Sequence, residues 1–213
     1  MKQTRHLLIA LALGTMLTSC GASVSTATVT GPAAYVDPYI GSGGHGHVFV
    51  GASVPFGAIQ AGPQNIHKGW DWCSGYHHSD SIVIGFAHTH LSGTGCTDMG
   101  DVQIMPYTGE LRSKRGRQED IGGSCSSYYS HDNESVSPGY YSLKMDNGVR
   151  IEMTASTRTA LHRITYPEAE GRRLLINLEE GNGDGAYDTY LRQTDAHTVE
   201  GYRFSKGSGP HKV

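Results

Sequence analysis

LKMDNGVRI, residues 143–151, alternates apolar and polar side chains on both sides of an Asn147-Gly148 pair. A repeat of two is the signature of a strand with one face buried, and Asn-Gly suits a type I′ turn, in which both central residues take positive φ. The stretch therefore predicts a β-hairpin. Outward from it, short β-branched or aromatic runs recur at 82–87, 102–106, 160–166, 173–178 and 199–204, separated by turn residues, and the hairpin arms extend to 140–145 and 149–155. No segment after residue 34 repeats with the 3.6-residue period of an amphipathic helix. Strands at this spacing, joined by turns rather than helices, predict an all-β chain folded as an antiparallel β-sandwich.

Composition agrees. The 213 residues include 29 glycines, roughly double the usual share, which favours turns over helices. Net charge is −3 and the 17 Lys and Arg residues form no long block, so nucleic acid is not an expected partner. Lys2 and Arg5 precede an apolar stretch from residue 7 to 17, the pattern of an export signal. At about 1.5 Å per residue it covers roughly half the hydrocarbon thickness, too short for a membrane span. It ends in LTSC, residues 17–20, which resembles a bacterial lipobox, so Cys20 is the expected lipidation site of a membrane-anchored, periplasmic or cell-surface lipoprotein. Residues 1–20 are then the signal peptide and 21–34, small and polar, a flexible tether. Cys73, Cys96 and Cys125 remain, an odd number whose pairing is open.

Residues 41–46, GSGGHG, fit the glycine spacing of a dinucleotide-binding loop. That loop must open a helix and be followed by an acid about 20 residues on. Here a glycine-broken, β-branched run containing Pro55 follows, and residues 61–67 hold no acid. The glycines are expected to serve close backbone approach instead.

Chemistry concentrates between Trp70 and Asp101, where two Trp, four His, four Asp and two Cys surround one apolar run. Aromatic faces with carboxylates and imidazoles are the means of sugar recognition: the ring packs on the apolar side of a pyranose while the polar groups take its hydroxyls. Trp70 and Trp72, two apart on an extended segment, would share a face. His88 and His90 would also share one, and with Cys96 and Asp98 they form an alternative zinc shell.

YVDPYIGSGGHGHVFVGASVPFGAIQAGP, residues 35–63, followed by GWDWCSGYHHSDSIVIGFAHTHLSGTGCTDMGDVQIMP, residues 69–106, resembles the family 92 glycoside hydrolases, mostly exo-acting α-mannosidases. The resemblance runs over 35–213. It implies an N-terminal β-sandwich, here C-terminally incomplete, that packs on a larger (α/α)₆ catalytic domain this chain lacks. It also implies a calcium ion bound mostly by that domain, inversion at an α-1,2 linkage, and mannose-containing glycans as substrate. The matching motif positions, carried over as substrate-binding candidates, are Trp70, Asp71, Trp72, Cys73, His88, His90, Gly93, Thr94, Gly95 and Asp98. Catalytic carboxylates are expected outside the chain, which alone would be inactive. The alternative is a stand-alone, lipid-anchored carbohydrate-binding module.

Overall fold

The computed structural model describes residues 30–93, 95–114, 121–207 and, for the backbone alone, 210–212. The signal segment with Cys20, the first part of the tether (21–29) and Thr94 lie outside the described residues.

Among the described residues, fourteen strands, all paired antiparallel, make up the regular structure, with four short 3-10 turns. One sheet grows from the hairpin. β8 (Tyr140–Lys144) pairs with β9 (Arg150–Ala155), flanked by β7 (Glu134–Ser137) and β10 (Ala160–Thr165) in the order β10-β9-β8-β7. Opposite lies a five-stranded sheet built from β1 (Ala52–Ser53), β2 (Gln60–Gln64), β4 (Gly85–Ala87), β5 (Gln103–Thr108) and β11 (Arg172–Asn177), in the order β1-β2-β4-β5-β11. β3 (Ile82–Val83) pairs with β6 (Ser127–Tyr128), and β12 (Gly185–Asp195), β13 (Thr198–Lys206) and β14 (Pro210–Lys212) form a three-stranded ribbon.

The turn at the centre of the hairpin differs from the expected one. Gly148 has φ 84°, but Asn147 does not share a positive φ, and the Gly148 amide donates to Met145 O at 2.9 Å. This is a type I turn over residues 145–148 closed by a left-handed glycine, the three-residue hairpin loop rather than I′. The Asn147 side chain helps by accepting from the Val149 amide at 3.0 Å.

β8 and β9 pack across β1 and β2. Tyr141, Leu143, Ile151 and Met153 meet Phe86, Ala61 and Ile104 in one buried cluster, with the Phe86 and Tyr141 ring centroids 6.4 Å apart. Each fully buried aliphatic or aromatic side chain contributes about 1.5–3 kcal/mol of transfer free energy, so this cluster is what holds the two sheets face to face. The chain is all-β, as the period-two pattern predicts.

One buried ionic contact ties the ribbon to the sandwich. Arg203 of β13 is fully shielded and bonds Asp101, Asp184 Oδ2 at 2.9 Å and Leu178 O at 2.9 Å. Asp101 in turn accepts from Thr89 Oγ1 at 2.7 Å. The Arg203 contact therefore fixes the segment that follows β4, where many of the candidate site residues lie.

Candidate functional site

Gly69, at φ 130°, lets the chain turn sharply into a single 3-10 turn, Trp70–Trp72. The Cys73 amide closes it on Trp70 O at 3.1 Å. In a 3-10 turn residues two apart point in different directions, so the two tryptophans do not share a face. This corrects the extended reading of 70–72.

Trp72 points inward against its own loop. Its indole N–H donates to Asp80 Oδ2 at 2.9 Å, its ring stacks on His77 at 4.3 Å, and Lys68 Nζ sits 5.5 Å from the ring centroid while pairing with Asp80 at 2.9 Å. Trp70 turns outward and is 59% exposed. Its ring rests edge-on against His47 at 4.1 Å and lies 5.8 Å from His45.

Asp71, between them, is held by the same two histidines: His45 Nδ1 at 2.6 Å and His47 Nε2 at 3.3 Å, both on Oδ1. The His45 hydrogen bond holds the Asp71 carboxyl below the usual carboxylate range, with His47 adding to the effect. His45 and His47 come from the 41–46 glycine loop and its exit. A Cβ on Gly46 would run into the Gly41 carbonyl, so that loop closes by glycine packing on its own backbone. The Val48 amide bonds Gly41 O at 3.0 Å. Close approach is what these glycines provide, and what approaches is the chain itself.

The 93–95 loop completes the cluster. The Gly93 amide donates to His47 O at 2.8 Å, the Phe49 amide to Ser92 Oγ at 3.2 Å, and a Cβ on Gly95 would strike Trp70 Nε1. Gly95 therefore lets the loop lie against the indole. Trp70, Asp71, Gly93 and Gly95 are thus brought together, with His45 and His47 as members the site reading omitted. Their signal was their place in the glycine loop, which carried no chemistry until folding brought Asp71 to it.

The remaining candidates sit apart. Cys73 is buried, its thiol pushed up by burial, and its carbonyl accepts from Asn182 Nδ2 at 2.7 Å. Asp98 is buried and accepts from the Met99 amide at 2.9 Å. Among the described residues Cys73, Cys96 and Cys125 form no disulfide. His88 donates Nδ1–H to Val102 O at 2.7 Å, and its Nε2 meets His162 Nε2 at 2.9 Å. With the His88 proton on Nδ1, His162 donates from Nε2, which leaves His162 Nδ1 buried without a partner. His90 donates Nδ1–H to Gln60 O at 2.7 Å, stacks on Phe49 at 5.1 Å, and keeps Nε2 buried and unpartnered. His88, His90, Cys96 and Asp98 do not converge as a metal shell among the described residues.

Burial holds His88 below the usual imidazole value, and His90 and His162 down to about 4. Between about 4 and 6.5 the unfolded chain binds more protons than the folded one, so stability is present at neutral pH and is lost as pH falls through that window. For His90 alone the loss is about 3 kcal/mol. Melting temperature measured from pH 7 to 4 should therefore fall, and His90→Asn, which keeps a donor near Gln60 O, should flatten the slope by about one proton.

An exposed aromatic face beside an ionised carboxylate and two imidazoles offers the two kinds of contact a sugar takes, a platform for an apolar ring face and acceptors for hydroxyls. Residues 35–213 match the glycosyl hydrolase family 92 N-terminal domain. The fold matches a family GH92 alpha-mannosidase of Bacteroides thetaiotaomicron, solved in complex with mannoimidazole, with a TM-score of 0.80 and 39% identity over 84% of this chain and 24% of that one. An inverting family GH92 mannosidase of the same organism shares the fold with a TM-score of 0.60 at 23% identity, over 81% of this chain and 24% of that one. An uncharacterized secreted glycosidase of Arthroderma benhamiae is 32% identical over 158 residues, 70% of this chain and 18% of that protein. The chain belongs to glycosyl hydrolase family 92, whose N-terminal domain it matches, and it spans about a quarter of the length of these solved relatives.

Proposed function

We propose that this chain serves as the N-terminal domain of an exported, calcium-dependent, inverting exo-α-mannosidase acting on α-1,2-linked mannose, and that Trp70 and Asp71, with His45 and His47, form one wall of its sugar pocket. The observation that carries the reading is the outward Trp70 indole beside an Asp71 carboxylate fixed by two histidines, on a domain 39% identical to an alpha-mannosidase solved in complex with mannoimidazole.

The role of each group follows from its state. The exposed indole packs on the apolar face of the ring. Asp71, kept ionised, accepts from sugar hydroxyls. It does not suit proton donation, because a general acid at this kind of centre needs a raised pKa and Asp71 is lowered. Inversion needs an acid and a base roughly 6.5–9.5 Å apart with a water between, and we assign both carboxylates to the part of the family's proteins that this chain does not match. Calcium takes six to eight oxygen ligands. The described residues do not fit it: the potential ligand group that converges among them is two imidazoles and one carboxylate, and Asp101 and Asp184 are engaged by Arg203. We therefore assign calcium mostly to the part of the family's proteins that this chain does not match, and no step here runs through it. Export is supported by the secreted relative.

The test is turnover. The purified chain, given α-1,2-mannobiose or an aryl α-mannoside, should release no mannose above background. Release by the chain alone would put the catalytic carboxylates within these 213 residues and overturn the division of labour.

A further inference from the structure

Away from Trp70, a second polar cluster is built where the 3-10 turn His131–Asn133 enters β7. Glu134, the first residue of β7, has a fully buried side chain. Its carboxylate accepts from Tyr141 Oη at 2.7 Å on Oε1, and from Tyr76 Oη at 3.0 Å and His131 Nδ1 at 2.7 Å on Oε2. Burial, and then the charge of Glu134, push the Tyr76 and Tyr141 hydroxyls well above their usual range, so both stay protonated and donate to Glu134.

That arrangement settles the imidazole tautomers. His131 spends Nδ1–H on Glu134, so its basic nitrogen is Nε2, which is buried and has no hydrogen-bond partner. The Tyr76 proton is committed to Glu134, so His78, with Nδ1 3.3 Å from Tyr76 Oη, donates from Nδ1 and also keeps Nε2 as a lone pair. The two imidazoles stack with centroids 4.3 Å apart and planes at 27°. One ligand-type atom from each of His78, His131 and Glu134 lies within 4.8 Å of the others.

We propose that His78 and His131 bind a divalent transition-metal ion of the zinc class through Nε2, with Glu134 orienting His131 from behind. Carboxylate–histidine–metal relays are the ordinary support of such ligands, and losing the carboxylate weakens binding by about 10–100-fold. Nitrogen atoms on one tetrahedral ion stand about 3.3–3.5 Å apart, given bonds of about 2.1 Å. The exposed His78 ring has freedom to close that gap. The ion would satisfy the orphaned His131 nitrogen. It would also brace the glycine loop, because the His78 amide donates to Ser42 O at 2.8 Å and Gly43 packs on His78 Cβ. The site is thus structural, and its consequence is a firmer seat for His45 beside Asp71.

The test is calorimetric titration of chelator-treated chain with Zn²⁺ at pH 7.5, repeated with Co²⁺ to read ligand-field absorption. Wild type should take up one equivalent. His78→Ala should weaken it at least tenfold while the metal-free variant still melts cooperatively, with only a modest loss from the Tyr76 contact and the His131 stack, and His131→Gln should abolish it. His197→Ala, on the β12–β13 hairpin, is the control and should bind as wild type. Absence of a one-equivalent event, unchanged binding in His78→Ala, or equal loss in His197→Ala overturns the proposal.

Discussion

Arg203→Met should lower the stability of the chain by about 3–5 kcal/mol, the range for breaking a buried ion pair by removing one partner. The Arg203 and Asp101 side chains are essentially shielded from water, as is that of Asp184. Methionine would fill most of the space and would remove the guanidinium that the two carboxylates share. For a domain of this size that corresponds to a melting temperature lower by roughly 10–15 °C. The sign with pH is diagnostic. Buried carboxylates that have lost a shared cation take up protons more readily in the folded variant than in its unfolded chain, so the gap between variant and wild type should narrow as pH falls from 7 to 5. A gap independent of pH would mean that Arg203 acts by packing alone.

Trp70→Ala should reduce affinity for an α-mannoside at least tenfold, with the fold intact. Losing an aromatic platform under a sugar costs about 1.5–3 kcal/mol of binding. Because Trp70 is mostly exposed and its N–H anchors no strand, the melting temperature should hold. Trp72→Phe is the contrasting change. It deletes the donor to Asp80 and loosens the His77 stack, so it should lower stability by about 1–2 kcal/mol and leave sugar affinity near wild type. Reversal of the two outcomes would exchange the roles assigned to the two tryptophans.

The sandwich was legible where side-chain alternation matches burial. β8, β9 and β5 alternate or run apolar and are found within two residues of the expected limits. β13 shows why alternation can mislead. Aromatic Tyr202 and Phe204 alternate with Arg203 and Ser205, yet Arg203 and Ser205 are the buried pair, because Asp101 and Asp184 hold the Arg203 cation inside. β12 was missed because both of its faces are largely exposed and polar residues interrupt Tyr187, Tyr190 and Leu191. β2 was missed because its Gly62-Pro63 pair reads as a turn, although it pairs with both β1 and β4. The run 82–87 breaks at Ile84 into β3 and β4, which join different sheets.

The site was legible in composition and less so in arrangement. The density of Trp, Asp and His around residues 70–101 drew attention to the region, from which folding brings Trp70 and Asp71 to His45 and His47. Backbone torsion at Gly69, invisible to residue pattern, decided that Trp70 faces out and Trp72 faces in. His88 and His90 were singled out by spacing, but β4 delivers them to His162 and Gln60, inside the fold. Asp71 finds its partners more than twenty residues upstream, and that contact exists only once the glycine loop has closed.

The most direct test is a nitrogen–proton correlation spectrum of the labelled chain titrated with methyl α-mannopyranoside. The account predicts saturable shifts at the Trp70 indole N–H and at the amides of His45, His47, Asp71, Gly93 and Gly95, with the Trp72 indole unmoved. Shifts confined to another surface, such as the β12–β13 ribbon, or no shift at Trp70 when sugar is in large excess, would contradict it.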